Sequence, residues 1–229
     1  DPVGENDDGM IACGSYTGTG ANQDIDLGWE AQYTLIKKTN ASGTDWQVHD
    51  MMRGMAVGGN DNGLKANSSG AEWTAGNYIS PNASGFTLEG SSTQVNASSA
   101  TYIYMAIRAP MMKEPEAGTE VFAIDTQDGT PLPSFKSTFP IDMQISKYTS
   151  VGVPETNARL TDKRTLETSS TIAEGAKTSA SFAFMNGWGT GTGTDSTYYS
   201  WMFKRAKGFF DVVAYSGNST VGRTVNHSL

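Results

Sequence analysis

The chain has 229 residues, of which 37% are apolar and 17% are charged, and its net charge is −8. So acidic a chain disfavours nucleic acid as a partner, because phosphate binding needs a basic face. No apolar run approaches the length of about 18 residues that marks a membrane-spanning helix, so no membrane span is predicted. Cys13 is the single cysteine, which excludes an intrachain disulfide, and one cysteine with two histidines does not support zinc binding.

The first predicted elements are an arm and three strands. Residues 1–9 are acidic and polar and are predicted to form an exposed arm or linker. Residues 10–20, MIACGSYTGTG, read as a strand that runs into a glycine turn, and YTLIKK at 33–38 reads as another. DWQVHDM at 45–51 alternates in the manner of a half-buried strand, and we expect Trp46 to lie in the core.

Loops and two further strands complete the first half. Residues 54–84 are rich in glycine and are predicted to be loops, with a short helix possible near 69–73. GFTLEG at 85–90 is a short strand between glycines, and TYIYMAIRAP at 101–110 is an alternating strand. Alternation with a period of two places successive side chains on opposite faces of a sheet.

The second half is also rich in strands. No segment has a long amphipathic helical period, and four prolines between residues 131 and 154 argue against helices there. We expect Trp201 to lie in the core, because it sits in an alternating strand. The predicted strands are VFAIDTQDG at 121–129, FPIDMQISK at 139–147, RLTDKRTLET at 159–168, SFAFMN at 181–186 and TYYSWMFKRA at 197–206.

Two sets of segments resemble one another. When Thr101 is aligned on Thr197, both segments alternate in the same phase over ten residues. The opening segment at 10–20 aligns with 121–129 and with 209–219, and each runs into a glycine-containing turn. Self-similarity of this kind is typical of repeated domains.

The repeats predict the organisation of the chain. We predict an all-β antiparallel sandwich of the jelly-roll type, built as two tandem related units, residues 10–118 and 119–206. Residues 207–229 are interpreted as the opening strand of a further repeat or as a strand that closes a sheet. Short strands joined by Ser, Thr, Asn and Gly suit this class.

Several motifs in order resemble a repeated β-domain of unknown function found in tailed-phage virion proteins, many of them marine. The motifs are Gly28-Trp29, Leu35-Ile36-Lys37, Asp45-Trp46, Gly85-Phe86 and Thr101-Tyr102, and Ala31 stands where that family usually has Pro. The resemblance covers most of the first unit and residues 196–229, and is weaker over 119–195. It implies a fold similar to concanavalin and laminin-G domains, in tail-fibre-like and other virion structural proteins.

GGNDNG at 58–63 groups oxygen donors that Ca²⁺ accepts: Asn60, Asp61 and Asn62. The segment lacks the spaced acidic residues and the terminal Glu of an EF-hand loop. The same residue types tolerate the backbone of a tight turn, so a turn is the favoured interpretation and a calcium site the alternative. No other cofactor is predicted.

Trp73 and Trp188 are the candidate ligand-binding residues, because both lie in predicted loops. Exposed aromatic faces can stack on sugar rings through apolar contact. The alternative, favoured for both, is packing under a loop or against a neighbouring subunit.

Catalytic patterns are weak in this sequence. His49 could join Asp45 or Asp50 in a triad, but no Gly-x-Ser-x-Gly turn is present. Asp24 and Asp26 begin the alternation of acids typical of glycosidase sandwiches, but the pattern does not continue, so exposed turn carboxylates are favoured. We predict a protein that is not an enzyme.

These observations favour a structural and interaction module of a phage virion or tail-fibre-like extracellular assembly. The expected partners are other virion or filament subunits, with a homo-oligomer as the expected state, at the virion or extracellular surface. An adhesin for a host-surface glycan or protein is the alternative. A polysaccharide depolymerase is ranked third.

Overall fold

The computed structural model describes residues 9–74, 76–109, 112–215, 217, 219–225, 227 and 229. Strands make up 39% of the chain and helix 3%, which confirms the predicted all-β class. The described residues include single turns of 3₁₀ helix at Gly118–Glu120 and Arg159–Thr161.

The chain divides into two compact units. Unit one comprises Asp1–Met111 and Val213–Asn226, and unit two comprises Met112–Val212 and His227–Leu229. The first boundary falls seven residues before the predicted one at 118/119, and most of the C-terminal segment groups with unit one.

The described part of unit one contains nine strands, and all of their pairings are antiparallel. Six form a sheet in the order β1-β9-β3-β4-β5-β6, and three form a second sheet in the order β2-β8-β7. The strands are β1 (Ile11–Thr17), β2 (Gln23–Asp26), β3 (Ala31–Lys38), β4 (Gln47–Asp50), β5 (Asn62–Lys65), β6 (Trp73–Thr74), β7 (Ile79–Asn82), β8 (Gly85–Leu88) and β9 (Thr101–Arg108).

The core of unit one lies between these two sheets. Tyr102 and Ala106 alternate along β9 and are fully buried, as are Phe86 and Leu88 on β8. The ring of Phe86 meets the ring of Tyr104 edge to face, with 5.6 Å between centroids, which joins the sheets as a sandwich. Each large apolar side chain buried here contributes about 1.5–3 kcal/mol.

Unit two contains eight strands in its described part, again antiparallel throughout. Six form a sheet in the order β10-β17-β12-β13-β14-β15, and β11 pairs with β16. The strands are β10 (Phe122–Asp128), β11 (Phe135–Lys136), β12 (Met143–Tyr148), β13 (Glu155–Ala158), β14 (Arg164–Glu167), β15 (Gly175–Ala176), β16 (Gly187–Trp188) and β17 (Thr194–Phe203).

Aromatic rings fill the core of unit two. Phe135 and Trp188, which face each other across β11 and β16, stack with 5.0 Å between centroids. Phe135 also meets Tyr198 of β17 edge to face at 5.3 Å, which joins the small sheet to the large one. Phe182 and Met202 are buried in the same cluster.

The two large sheets have the same strand order and the same register. In each, the last strand lies between the first and third strands of its unit, β9 between β1 and β3 and β17 between β10 and β12. Positions that align in the sequence segments also occupy corresponding places in the two sheets. One row of paired residues across four strands of unit one is Gly14, Tyr104, Ile36 and Gln47. The corresponding row of unit two is Asp125, Ser200, Ser146 and Glu155. That the units are copies of one repeat stays a prediction.

The predicted strand at the start of 207–229 is wrong over the described residues 211–215, which form no ladder. Ala206 and Phe210 make an isolated bridge that closes a turn. Arg205 Nε then contacts Asp211 Oδ1 at 2.7 Å, and the Asp211 side chain is 3% exposed. This largely buried pair links the two sides of the turn.

Three other local predictions are wrong. SFAFMN at 181–186 is not a strand, because the carbonyl of Phe182 accepts a hydrogen bond from buried Arg159 rather than from a neighbouring strand. Residues 54–84 hold the short strands β5, β6 and β7 instead of loops alone, and the helix considered near 69–73 is absent. RLTDKRTLET begins as a 3₁₀ turn before β14.

Alternation was predicted correctly in β4 and β17, but the inward face was assigned wrongly. Trp46 is 37% exposed, whereas Gln47 and His49 are buried. Trp201 is partly buried and lies opposite in phase to the buried Ser200 and Met202. Trp46 and Trp201 are therefore not core residues.

Candidate functional site

A cleft of about 340 Å³ opens in unit two and is a candidate site. Tyr148 of β12 and Tyr198 of β17 form one side of it, with Trp188 of β16. Glu155 at the start of β13 and Lys177 just after β15 provide charged groups. The volume is at the lower end of the range of about 300–1,000 Å³ found for small-molecule sites.

Stacked rings form the aromatic side of the cleft. Tyr148 and Tyr198 are cross-strand partners, and their rings lie 4.1 Å apart with 9° between planes. Trp188 is only 2% exposed, and its Nε1 donates a 2.9 Å hydrogen bond to Ser200 Oγ. Ser200 Oγ donates in turn to Gln144 Oε1 at 3.2 Å, so a buried polar chain holds the indole in place.

Charged and hydroxyl groups form a network at the polar side. Lys177 Nζ forms an ion pair with Glu155 Oε2, and Tyr198 Oη donates to the same oxygen at 3.1 Å. Ser146 Oγ lies 3.0 Å from Tyr198 Oη. Burial, together with the nearby Glu155 charge, raises the pKa of Tyr198 well above its usual value, so the phenol stays protonated and remains a donor.

A glycine-rich segment borders the cleft beside Ser134. Ser134 Oγ donates to the carbonyl of Gly191 at 2.7 Å, and the Ser134 amide donates to the carbonyl of Gly189 at 3.0 Å. Gly189 has φ +86°, a conformation that favours glycine, and a Cβ there would lie 3.1 Å from Ser134. The loop is thus anchored against β11.

The equivalent region of unit one is filled. Tyr102, at the position of Tyr198, is fully buried, and its Oη donates to the carbonyl of Thr93 and accepts from the amide of Ala97. Gln47, at the position of Glu155, donates to Gln94 Oε1 at 2.8 Å. The segment that supplies these partners covers the tyrosine end of the sheet.

Chain length explains the difference between the units. Fourteen residues, 87–100, separate Phe86 from Thr101, whereas eight, 189–196, separate Trp188 from Thr197. The cover segment of unit one, residues 93–97, therefore has no counterpart of equal length in unit two. The cleft opens where that cover is missing.

The predicted calcium ligands do not point to a shared centre. Asp61 is fully buried, and its Oδ2 accepts the amides of Tyr78 at 2.6 Å and Ile79 at 2.9 Å. Asn62 bonds through its side chain to Arg53 and Thr74, and Asn60 is exposed. Among the described residues, no group of three or more His, Cys, Asp or Glu is placed to hold a metal ion.

The two predicted ligand-binding tryptophans lie in different units and neither is an exposed platform. Trp73 is partly buried in β6 and packs against Tyr78 at 5.0 Å and edge to face against His49 at 5.6 Å. Trp188 is buried, yet it lines the cleft. Trp73 is therefore packed against other rings, as the favoured alternative has it. Trp188 is packed in the core and also contributes to the lining of the cleft.

The predicted catalytic candidates are dispersed. His49 is fully buried, burial lowers its pKa to about 4, and neither ring nitrogen has a hydrogen-bond partner among the described residues. Asp50 pairs with Arg53 and Asp45 with Lys65. These carboxylates are engaged elsewhere, so no triad forms around His49.

The acids considered for a glycosidase groove are exposed. Asp24 Oδ1 accepts the Thr87 hydroxyl at 2.6 Å, and Asp26 Oδ1 accepts the amide of Gly28 at 2.9 Å. Both carboxylates are used in local hydrogen bonds, as expected for turn residues.

Sequence reasoning missed Tyr148, Glu155 and Lys177. They come from three separate elements, and each has a common structural role when considered alone. The signal that could have found them is the repeat alignment itself, because it shows the second copy to be shorter between Trp188 and Thr197.

Comparison with known protein families gives a match for one part of the chain. Residues 5–110 match the family model described as Domain of unknown function (DUF7483), a span that lies within unit one. No curated protein and no solved structure matches the chain. Within the described residues, no helix is both long and apolar enough to cross a membrane.

Proposed function

We propose that this protein is a structural and interaction module that assembles with further copies of itself in an extracellular or virion-surface structure. The observation that supports the proposal is a row of mainly apolar side chains on the outer face of each large sheet. We call these the outer rows. They are Cys13, Met105, Leu35, Val48 and Leu64 in unit one, and Ile124, Trp201, Ile145, Thr156 and Leu166 in unit two.

Each outer row crosses five neighbouring strands, one residue per strand. Ile124 is 54% exposed and Leu166 is 49% exposed, at the two ends of the row in unit two. Cys13 is exposed at the matching end in unit one. Apolar surface left in water costs about 25 cal/mol per Å², so covering such rows is favourable.

A second copy of the chain fits these rows better than an unrelated partner does. The rows match in length, in strand positions and in apolar character, so a face that accepts one accepts the other. Neither row contains a charged residue, so covering the rows themselves does not require the desolvation of a charge.

Sedimentation velocity over a range of protein concentrations tests the assembly. The wild-type chain should associate as concentration rises, and Ile124→Asp with Leu166→Asp should shift it towards the monomer. Val221→Asp is the matched control, because Val221 is apolar, 99% exposed and outside both rows. A wild-type monomer at all concentrations, or a row variant that associates normally, would contradict the proposal.

The virion setting is supported by the resemblance to tailed-phage β-domains. The composition, rich in short strands and polar turns with a net charge of −8, is compatible with a component of a fibre or shell. A cryo-EM map of the native particle tests this setting: density for repeated copies in contact through the large sheets supports it, and absence from the particle overturns it.

Recognition of a host-surface glycan or protein is the second candidate function, and the cleft of unit two favours it. Glu155 is the one carboxylate that lines the cleft among the described residues, whereas glycoside hydrolysis normally needs two. This supports binding without catalysis. A glycan array tests it, and release of reducing sugar from a bound polysaccharide would favour the depolymerase instead.

A further inference from the structure

We propose that the cleft of unit two binds a neutral sugar ring of an oligosaccharide, with Tyr148, Glu155 and Lys177 as the specificity-determining side chains. The inference deepens the second candidate function by naming the class of ligand and the residues that select it. It does not depend on assembly through the outer rows, which belong to the opposite face of the sheet.

Electrostatics select a neutral ligand. Glu155 and Lys177 form an ion pair at the edge of the cleft, and both side chains are about three-quarters buried, at 22% and 25% exposure. They are the only two charged side chains that line it among the described residues, so the cleft has no net charge. A charged ligand would face a like charge on one member of the pair, whereas hydroxyl groups can donate to one partner and accept from the other.

The aromatic side gives the cleft its second selective property. Tyr148 is partly exposed and is held by its stack on Tyr198, while Trp188 and Phe135 pack behind them. Rings fixed in this way present a rigid apolar surface, against which the C–H face of a pyranose can pack. Sugars combine such a face with several hydroxyl groups, and the cleft combines an aromatic wall with the polar side chains of Gln127, Ser134 and Ser179.

Comparison with unit one shows that three differences coincide at this place. Lys38 stands at the ladder position of Tyr148, and Gln47 stands at that of Glu155. The cover segment of unit one fills the space above Tyr102. Unit two therefore lacks the cover and also has an aromatic and an acidic residue at the uncovered positions. Loss of the cover alone would not require either substitution.

Isothermal titration calorimetry on the full chain provides the test. The neutral probes are maltohexaose, cellohexaose, mannohexaose and N-acetylchitohexaose, the acidic probe is hexagalacturonate, and the peptide probe is a Gly-Ser hexamer. At least one neutral oligosaccharide should bind saturably and more tightly than hexagalacturonate. Binding of only the acidic probe or only the peptide overturns the inference but leaves the second candidate function standing.

Variants locate the binding. Tyr148→Ala should weaken the bound oligosaccharide about tenfold, because a stacked ring is lost. Glu155→Gln, which places the unit-one side chain in unit two, should weaken it about threefold or more and tests the site even if Tyr148→Ala folds poorly. Lys38→Ala is the matched control in unit one and should bind as the wild type does.

Two results would overturn the inference. One is saturable binding that survives both Tyr148→Ala and Glu155→Gln in chains whose circular dichroism matches the wild type. The other is the absence of binding by every neutral oligosaccharide. A positive glycan array combined with either result would separate failure of this site from failure of glycan recognition as a function.

Discussion

Units one and two differ most at the tyrosine end of the large sheet. In unit one Tyr102 stacks on Tyr16 at 5.1 Å, and the Tyr16 hydroxyl donates to the carbonyl of Val95 at 2.6 Å, under the cover segment. In unit two Tyr198 stacks instead on Tyr148, beside an open cleft. The same ladder thus ends in a closed core in one unit and in a candidate binding site in the other.

The comparison distinguishes the sheets, which the two units share, from the connection whose length differs between them. Strand order and register are shared, so they determine where each side chain stands. Connection length decides whether that place is open to solvent, because the connection of unit two between its small and large sheets is six residues shorter. Loops tolerate such changes in length far better than ladders do.

The largest expected effect is on the closed tyrosine pair. Tyr102→Ala should destabilise unit one by about 4 kcal/mol, because a fully buried and doubly hydrogen-bonded ring is lost. Tyr148→Ala, at the open end of unit two, should cost only about 1 kcal/mol, because a partly exposed ring loses its stack on Tyr198. Hydrogen exchange during urea titration reports the peptides of each unit separately, and equal losses in the two units would break the comparison.

Asp61 gives the next largest effect, and it depends on pH. Burial raises the pKa of Asp61 to about 7 from 3.8, so its contribution to stability is full below pH 4 and is lost as the pH rises through 7. Asp61→Asn should therefore stabilise unit one by up to about 4 kcal/mol at pH 8, at about 1.4 kcal/mol per pKa unit, and leave it almost unchanged at pH 4.

The measurement is the unfolding free energy of the variant minus that of the wild type at each pH. Taking the difference cancels His49, whose lowered pKa has the opposite effect: its contribution is present above pH 6.5 and is lost as the pH falls towards 4. A difference that does not change between pH 4 and pH 8 would mean that Asp61 titrates normally.

Substitution of Arg159 should give the smallest of the three changes in stability, and it tests a difference between the cores of the two units. It is buried in unit two and donates to the carbonyls of Phe182 and Ile141, whereas Met51 stands at the equivalent position in unit one. Arg159→Met should destabilise unit two by about 2 kcal/mol, because two buried carbonyls lose their donor. Thermal unfolding checks this, and an unchanged transition would show that water or a neighbour replaces the donor.

The positions of strands β9 and β17 could be predicted from the sequence, but the face of each strand that is buried could not. Alternation located β9 and β17, and the repeat alignment matched them to each other, because period two is a property of the strand itself. Which face is buried depends on partners distant in sequence. Gln144 and Asn157 are buried because their side chains bond to each other, while the apolar outer rows are partly exposed.

The cleft could be predicted only in part for a related reason. Trp188 was identified as a candidate from its position in a predicted loop, with packing as the favoured alternative. Glu155, Lys177 and Tyr148 meet only through the fold, and no local pattern brings residues on three elements together. The strand predicted at the start of the C-terminal segment is wrong over residues 211–215 because its likeness to β1 is local in sequence, and a local likeness does not supply a partner strand.

Hydroxyl-radical footprinting of the full chain, read by mass spectrometry for each tyrosine, tests most directly whether one ladder end is covered and the other open. We expect Tyr148 to be oxidised several times faster than Tyr16 and Tyr102, and to be protected when a bound oligosaccharide is present. Equal protection of Tyr148, Tyr16 and Tyr102 without any added ligand would contradict the account.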